Sequence, residues 1–383
     1  MASAATTGRL AATVIAEPAD LEPWLERWDA LSLELAAPFS GPAWLLGWWR
    51  HAAGGTRELR TVVVSEGDEL VGIAPTFAQI GPLGLAEYRL LGAGASHRIG
   101  PLAVPGREGE VAEAAARALN DARPRLSSLV LEGLDAASPW PQLLRAAWPG
   151  ATRPRRHVGL VLTAPALEIQ GDFDAWLGTR SSNFRQQMRR QRRRLEERGA
   201  RIAMAESPEE TRRCLEALFA LHRLRFESKE EHSDLTPGIE EHLREAATAL
   251  PPERFRLWGV EVAGEYVAAQ LHVAAGGHLS YWNGGFDPAW ERYKPSLVTL
   301  FAVLEDAFRR GDRRFDLGGG DQPYKWRFAD HDDPLMWSSL FPRNRRYPLT
   351  RLQLMPKEAR LLARRLARRL PPGLKERLHR ARG

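Results

Sequence analysis

The 383-residue chain is long enough for two or three domains with sizeable cores, and 44% hydrophobic residues with 13 Trp and 13 Phe exclude a mainly disordered polypeptide. The single Cys214 excludes an internal disulfide, a Cys-rich zinc site and a CxxC redox centre. The net charge of +6 is local, because residues 343–383 hold 14 basic and 2 acidic residues and Trp176–Arg201 holds 9 and 2, so general nucleic-acid affinity does not follow from it.

The first twenty residues lack the charged head and apolar run of a secretory signal. The longest uncharged run, Tyr266–Phe286, carries Gln270, His272, His278, Asn283 and four glycines, a poor bilayer span. The expectation is a soluble, cytoplasmic protein. Only 5 of the 54 basic residues are Lys, a skew that fits a GC-rich bacterial genome.

In chain order, Trp24, Leu25, Trp28, Leu31 and Leu35 recur at helical spacing over Pro23–Leu35, and Pro42–His51 reads as a second helix. Leu59–Ser65 and Leu70–Ala78 flank Glu66-Gly67-Asp68 as a β-hairpin. Tyr88–Leu91, a helix over Gly109–Asp121, a strand Ser128–Glu132 and a helix Trp140–Ala147 follow, with a domain boundary placed near 150–170. The second half opens with a helix over Phe173–Gly178 and a basic helix over Asn183–Arg198, and has a short strand at Arg201–Met204. Ser207-Pro208-Glu209-Glu210 has the form of a capping box opening the next helix. Helix Gly238–Ala249, strands Phe255–Val262, Tyr266–Ala274 and His278–Phe286, a helix Pro295–Arg310 and a strand Arg314–Leu317 complete it.

Both halves therefore read helix, helix, antiparallel hairpin, helix, strand. A repeat of about half the chain suggests a tandem duplication, and a hairpin followed by a helical crossover implies a mixed sheet, an α+β fold.

The densest chemistry lies in Arg313–Phe328, where a strand runs into Gly318-Gly319-Gly320 and then Asp321, Tyr324, Lys325 and Arg327. Three glycines allow close backbone approach to a ligand; an acid, a phenol and a cation can serve acid/base work and charge stabilisation. Such a loop can equally be a solvated surface turn. The Asp316-Leu317-Gly318-Gly319-Gly320 run also mimics a nucleotide-binding methyltransferase motif, but Gln322-Pro323 follows where that motif needs a helix. Upstream, the start of the Pro295 helix offers backbone amides, among them Ser296, Leu297 and Val298, to a pyrophosphate. Ten scattered histidines show no ligand spacing, so no metal is expected.

An antiparallel hairpin, a phosphate-ready helix start, a strand and then a reactive loop resemble the GNAT acyltransferase core. More closely, Phe315-Asp316-Leu317-Gly318-Gly319-Gly320-Asp321-Gln322-Pro323-Tyr324-Lys325 resembles the CelD-type, cellulose-biosynthesis-associated branch, itself similar to the Fem-type transferases with tandem GNAT folds. Pro38-Phe39 with Trp44 and Trp48, Gly72-Ile73-Ala74-Pro75, and Arg194-Leu195-Glu196-Glu197-Arg198-Gly199 extend the resemblance over roughly residues 20–340. Two departures stand out: Ser96-His97-Arg98 where the family usually has an acid, and Pro295-Ser296 where it favours Pro-Gly.

The resemblance implies two GNAT-like domains, 1–165 and 166–342, with 343–383 as a basic helical tail. It implies direct attack of an amine or hydroxyl acceptor, a small molecule or envelope glycan, on acyl-CoA, most simply acetyl-CoA. Asp321 is the expected base, Tyr324 the proton donor to the thiolate, and Lys325 or Arg327 a charge partner. Trp282, Asn283 and Gly284 would polarise the thioester carbonyl, while His272, Arg185, Arg189 and Arg327 would serve the acceptor. The basic helix Asn183–Arg198 lacks interleaved aromatics, so nucleic acid is not an expected partner. In the tail, Leu362, Leu366 and Leu370 face away from paired arginines, which suits peripheral contact with an anionic inner membrane face as well as docking on the protein itself. The alternative reading is a catalytically degenerate GNAT-fold scaffold in polysaccharide biosynthesis.

Overall fold

The computed structural model describes residues 10–227 and 235–352. Its first half runs β1 (Ala11–Ile15), α1 (Leu25–Glu34), α2 (Pro42–His51), β2 (Arg57–Leu59), β3 (Thr61–Glu66), β4 (Glu69–Ala74), β5 (Thr76–Ile80) and β6 (Ala86–Leu90). Then come β7 (Leu102–Ala103), α3 (Glu108–Asp121), β8 (Leu126–Asp135), α4 (Trp140–Ala147) and β9 (Arg155–Leu162). The second half runs β10 (Pro165–Glu168), α5 (Phe173–Thr179), α6 (Ser182–Glu196), β11 (Arg201–Met204), α7 (Pro208–Glu227) and α8 (Pro237–Ala249). It continues through β12 (Phe255–Val262), β13 (Glu265–Ala275), β14 (His278–Phe286), α9 (Pro295–Arg310), β15 (Arg314–Asp316), β16 (His331–Asp332) and β17 (Leu335–Phe341).

Local chemistry accounts for the helices. Ser181 caps α6 by accepting from Phe184 N, and Phe184, Met188, Gln191 and Leu195 form its buried stripe. The expected capping box of α7 forms: Glu210 N donates to Ser207 Oγ at 3.1 Å, and the Glu210 carboxylate accepts from Ser207 N. Helix α9 stops at Gly311, whose φ of 75° closes the helix as alanine could not without strain.

The duplication is visible in the sheets. Strands β6 and β8 pair in parallel across helix α3, and β14 and β15 pair in parallel across α9. The expected hairpin strand Leu70–Ala78 breaks at Pro75, since β4 pairs with β3 in a four-stranded sheet and β5 joins a six-stranded one, β2-β5-β6-β8-β17-β9. The second half forms one seven-stranded sheet, β11-β12-β13-β14-β15-β10-β16. Strand β17, on the C-terminal side of the 165/166 division, inserts between β8 and β9 of the first half's sheet. The two halves are α+β units, each with a parallel strand pair joined across a helix, and this return of the chain laces them together.

They also share a core. Trp28, Trp44, Phe39 and Phe77 of the first half lie in one buried cluster with Leu218, Phe219, Leu243 and Leu257 of the second. A smaller cluster packs Trp176, Phe184, Phe301, Phe315 and Phe328 around α5, α6 and α9. Among the described residues no helix is long and apolar enough to cross a membrane. Of the basic tail, residues 353–383 lie outside the described residues.

Candidate active site

The site grows from a fork between two parallel strands. Strands β14 and β15 stay in register only through His278–Arg314, Leu279–Phe315 and Ser280–Asp316. Beyond that pair the chains diverge, and one extra residue in β14, Trp282, bulges against the Leu271–His272 step of β13. Trp282 Nε1 reaches across to the first half and donates to Ala95 O at 2.8 Å.

A cavity of about 350 Å³ opens on one side of the fork, between β14, the start of α9 and the loop after β15. Gly284, Ser296, Leu297, Tyr324 and Arg327 line it, together with Gln270, Tyr281 and Lys294. Its lining is mostly apolar, with polar side chains contributed by α6, β13, β14, the α9 start and the loop after β15. Gln270 Nε2 donates to Ser296 O at 2.7 Å and so fixes that end of α9. The amides of Leu297 and Val298 both donate to Lys294 O, leaving Ser296 N as the open donor of the three. Val298 itself turns into the core, 1% exposed. The helix start therefore offers fewer amides than sequence alone implies, and the Lys294 ammonium nearby stands 3.8 Å from the Glu291 carboxylate on the same cavity.

A second cavity, of about 620 Å³, lies between the halves on the other side of the fork. Trp48, Trp282 and Trp337 contribute indole walls, and His97, Arg57, Glu132 and Asn283 contribute polar ones. Trp282 and Asn283 thus belong to this side rather than to the first cavity. Gly284 N is already engaged by Asn283 Oδ1 at 2.8 Å, and Asn283 Nδ2 lies 3.1 Å from His222 Nε2. The expected use of Gly284 N to polarise a carbonyl is therefore met by a competing acceptor.

The glycine loop between the cavities is tied from both directions. Asp316 is completely buried and accepts from Gly318 N at 2.8 Å. Its other carboxylate oxygen pairs with Arg98 Nε, which comes from the first half of the chain. Arg98 also pairs with Asp135 and donates to Asp333 O at 2.8 Å. Burial alone would raise the Asp316 carboxyl, but Arg98, with His97 and His278, holds it down at about 2. Lys325 Nζ, 4% exposed, donates to Gly318 O and Gly319 O at 3.0 and 2.7 Å, and burial lowers it to about 8. Lys325 thus braces the loop from beneath.

Several expected site residues stand elsewhere. Asp321 is exposed, accepts from Trp326 Nε1 at 2.6 Å and lines neither cavity. His272, expected at the acceptor, is sealed at 0% exposure against Tyr281 and Phe315, and burial lowers it to about 3, so no substrate can touch it. Arg185 caps α5 by donating to Gly178 O and Arg180 O, and Arg189 lies on the exposed face of α6. Arg327 does stand at the first cavity, where it donates to Gln187 Oε1 and stacks over Phe184. The sequence alone gives His97 and Arg98 no functional role. Their only sequence signal is the Ser96-His97-Arg98 departure itself.

Residues 182–326 match the family model described as an acetyltransferase (GNAT) domain. FemX superposes with a TM-score of 0.58 at 12% identity, over 82% of this chain and 95% of that one. The C-terminal domain of a putative lysylphosphatidylglycerol synthetase from Agrobacterium fabrum gives 0.53 at 10%, over 85% and 92%. A conserved protein of unknown function from Bacteroides thetaiotaomicron gives 0.54 at 10%, over 86% and 99%. No curated protein matches the chain. The structural likenesses show a shared fold, and the domain match places an acetyltransferase (GNAT) domain within residues 182–326.

Proposed function

We infer that the protein transfers an acyl group, most simply acetyl, from acyl-CoA to an amine or hydroxyl acceptor, and that it belongs to the CelD-type branch. The observation that carries this reading is the β14–β15 fork with a cavity beside it on either hand, which supports a donor and an acceptor bound at neighbouring sites. Bound acyl-CoA would supply an activated thioester. Ser296 N and Lys294 suit its phosphates at the α9 start, and the apolar wall of Leu297, Leu300 and Leu317 suits its pantetheine arm. Tyr324, on the same cavity, is positioned to return a proton to the leaving sulfur.

The indole-walled cavity suits the face of a sugar or another ring-bearing acceptor, which supports an envelope glycan or amine as substrate. The division at 165/166, a cytoplasmic location and peripheral contact of 343–383 with anionic lipid belong to the same reading. Free-thiol release from acyl-CoAs against sugar, amine and aminoacyl acceptors tests the reaction. Binding is tested separately: at a hundredfold excess over Kd, CoA should stabilise the fold by about 2.7 kcal/mol. A melting curve unmoved by saturating CoA would remove the donor site and leave the scaffold alternative.

A further inference from the structure

We propose that His97, contributed by the first half of the chain, is the general base that takes the acceptor's proton at the β14–β15 fork. The assignment rests on the acyl-transfer reading above and names a residue the resemblance does not supply. His97 lines the acceptor cavity beside Trp282, Asn283 and Gly319. Its ring atoms Cε1 and Nε2 lie 3.8 Å from the point where a Cβ on Gly318 would stand, and Tyr281 O lies 3.4 Å from that same point. Ring, glycine loop and β14 backbone therefore converge where the strands part. Phe39 holds the imidazole from behind, with ring centroids 5.0 Å apart.

The residue is half-buried, yet Nε2 is shielded from solvent and has no hydrogen-bond partner among the described residues. Nε2 is thus closed to the acceptor, and Nδ1, which makes no hydrogen bond among the described residues, is the nitrogen left to exchange a proton at the cavity wall. Three charged groups act on it: Asp316 at the end of β15, the adjacent Arg98, and Lys325 beneath the loop. Burial lowers its pKa below the usual 6.5; Asp316 opposes that shift, and Arg98 and Lys325 add to it. Neutral imidazole is thus the prevailing form near pH 7, the form a base requires.

In the transfer, the acceptor's N–H or O–H proton passes to the imidazole while the freed electron pair forms the new bond to the acyl carbon. The carbon–sulfur bond breaks, its electrons leave on sulfur, and that thiolate is reprotonated from the Tyr324 side or by water. The charge of the buried Asp316 carboxylate favours the imidazolium as it forms, and that proton passes to water in the acceptor cavity after the transfer.

His97→Gln keeps size and hydrogen bonding but removes the base. Thiol release should fall about 10²–10⁴-fold while the CoA-induced melting shift is kept. The wild-type rate should decline as pH drops through a value below 6.5, and His97→Gln should lose that acid limb. Added imidazole should restore part of the rate in His97→Ala. A folded His97→Gln protein with normal turnover and an unchanged acid limb overturns the assignment. If the variants do not fold, the wild-type profile decides, since a rate that stays flat into acid overturns it equally. Absence of a CoA shift in the wild type would instead sink the acyl-transfer reading, and this assignment with it.

Discussion

Removing Arg98 tests the idea that the two halves build one site. Its side chain is 4% exposed and that of Asp316 is 0% exposed, so water screens neither charge. In Arg98→Ala, Asp316 keeps only the Gly318 N–H, and Asp333 loses both the contact to its carboxylate and the donor to its carbonyl. Deleting one member of a buried pair costs about 3–5 kcal/mol, because the remaining charge is stranded. The depressed Asp316 carboxyl gives an independent scale. A fall from 3.8 to about 2 corresponds to stabilisation on the order of 2 kcal/mol. The second figure is smaller because it already includes the desolvation of the carboxylate, whereas the deletion exposes that cost in full.

A thermal melt at neutral pH should therefore place Arg98→Ala on the order of 5–10 °C below wild type. Because the folded Asp316 pKa is depressed, its stabilisation is present above 3.8 and disappears as pH falls through about 2, so the gap between the proteins should close in acid. Arg98→Ala combined with Asp316→Asn should recover part of the loss at neutral pH, since no stranded charge remains at position 316. A single variant that melts with wild type, or a gap independent of acid, would show that the bridge is energetically idle and refute the reasoning.

Two other substitutions probe the fork. A Cβ on Gly285 would stand 2.5 Å from His222 N and 2.6 Å from Leu221 C, backbone atoms of α7 that cannot swing away. Gly285→Ala should therefore cost about 1–3 kcal/mol in urea unfolding and weaken CoA binding as β14 shifts, and a silent variant would mean that α7 packs more loosely than described. Asp321→Asn should leave turnover within a factor of two or three of about unity, because the carboxylate faces solvent and Trp326; a drop of about 10²-fold in thiol release would return the base to Asp321.

Local pattern determined much of this protein. Helices Pro42–His51, Trp140–Ala147 and Pro295–Arg310, and strands Arg201–Met204, Phe255–Val262 and His278–Phe286, fall where periodicity, proline and glycine put them, because caps and apolar stripes act within a few residues. The glycine loop and the start of the Pro295 helix were legible for the same reason, each being a short run with its own backbone chemistry. The roles inside that loop were not. Lys325 looks like a free cation in sequence and is a buried brace, and Asp321 looks like a base and faces outward, because orientation is set by what packs underneath.

The long-range choices belong to tertiary structure alone. Strand β17 is a short, mostly apolar run, and nothing within it says that it returns to a sheet begun more than two hundred residues earlier. Arg98 meets Asp316 across 218 residues of chain, a pairing with no local period. His97 acquires its place at the fork only because that pairing holds its neighbour. Buried charge seeks a partner wherever the fold supplies one, so the geometry at the fork is decided by how the two halves close on each other.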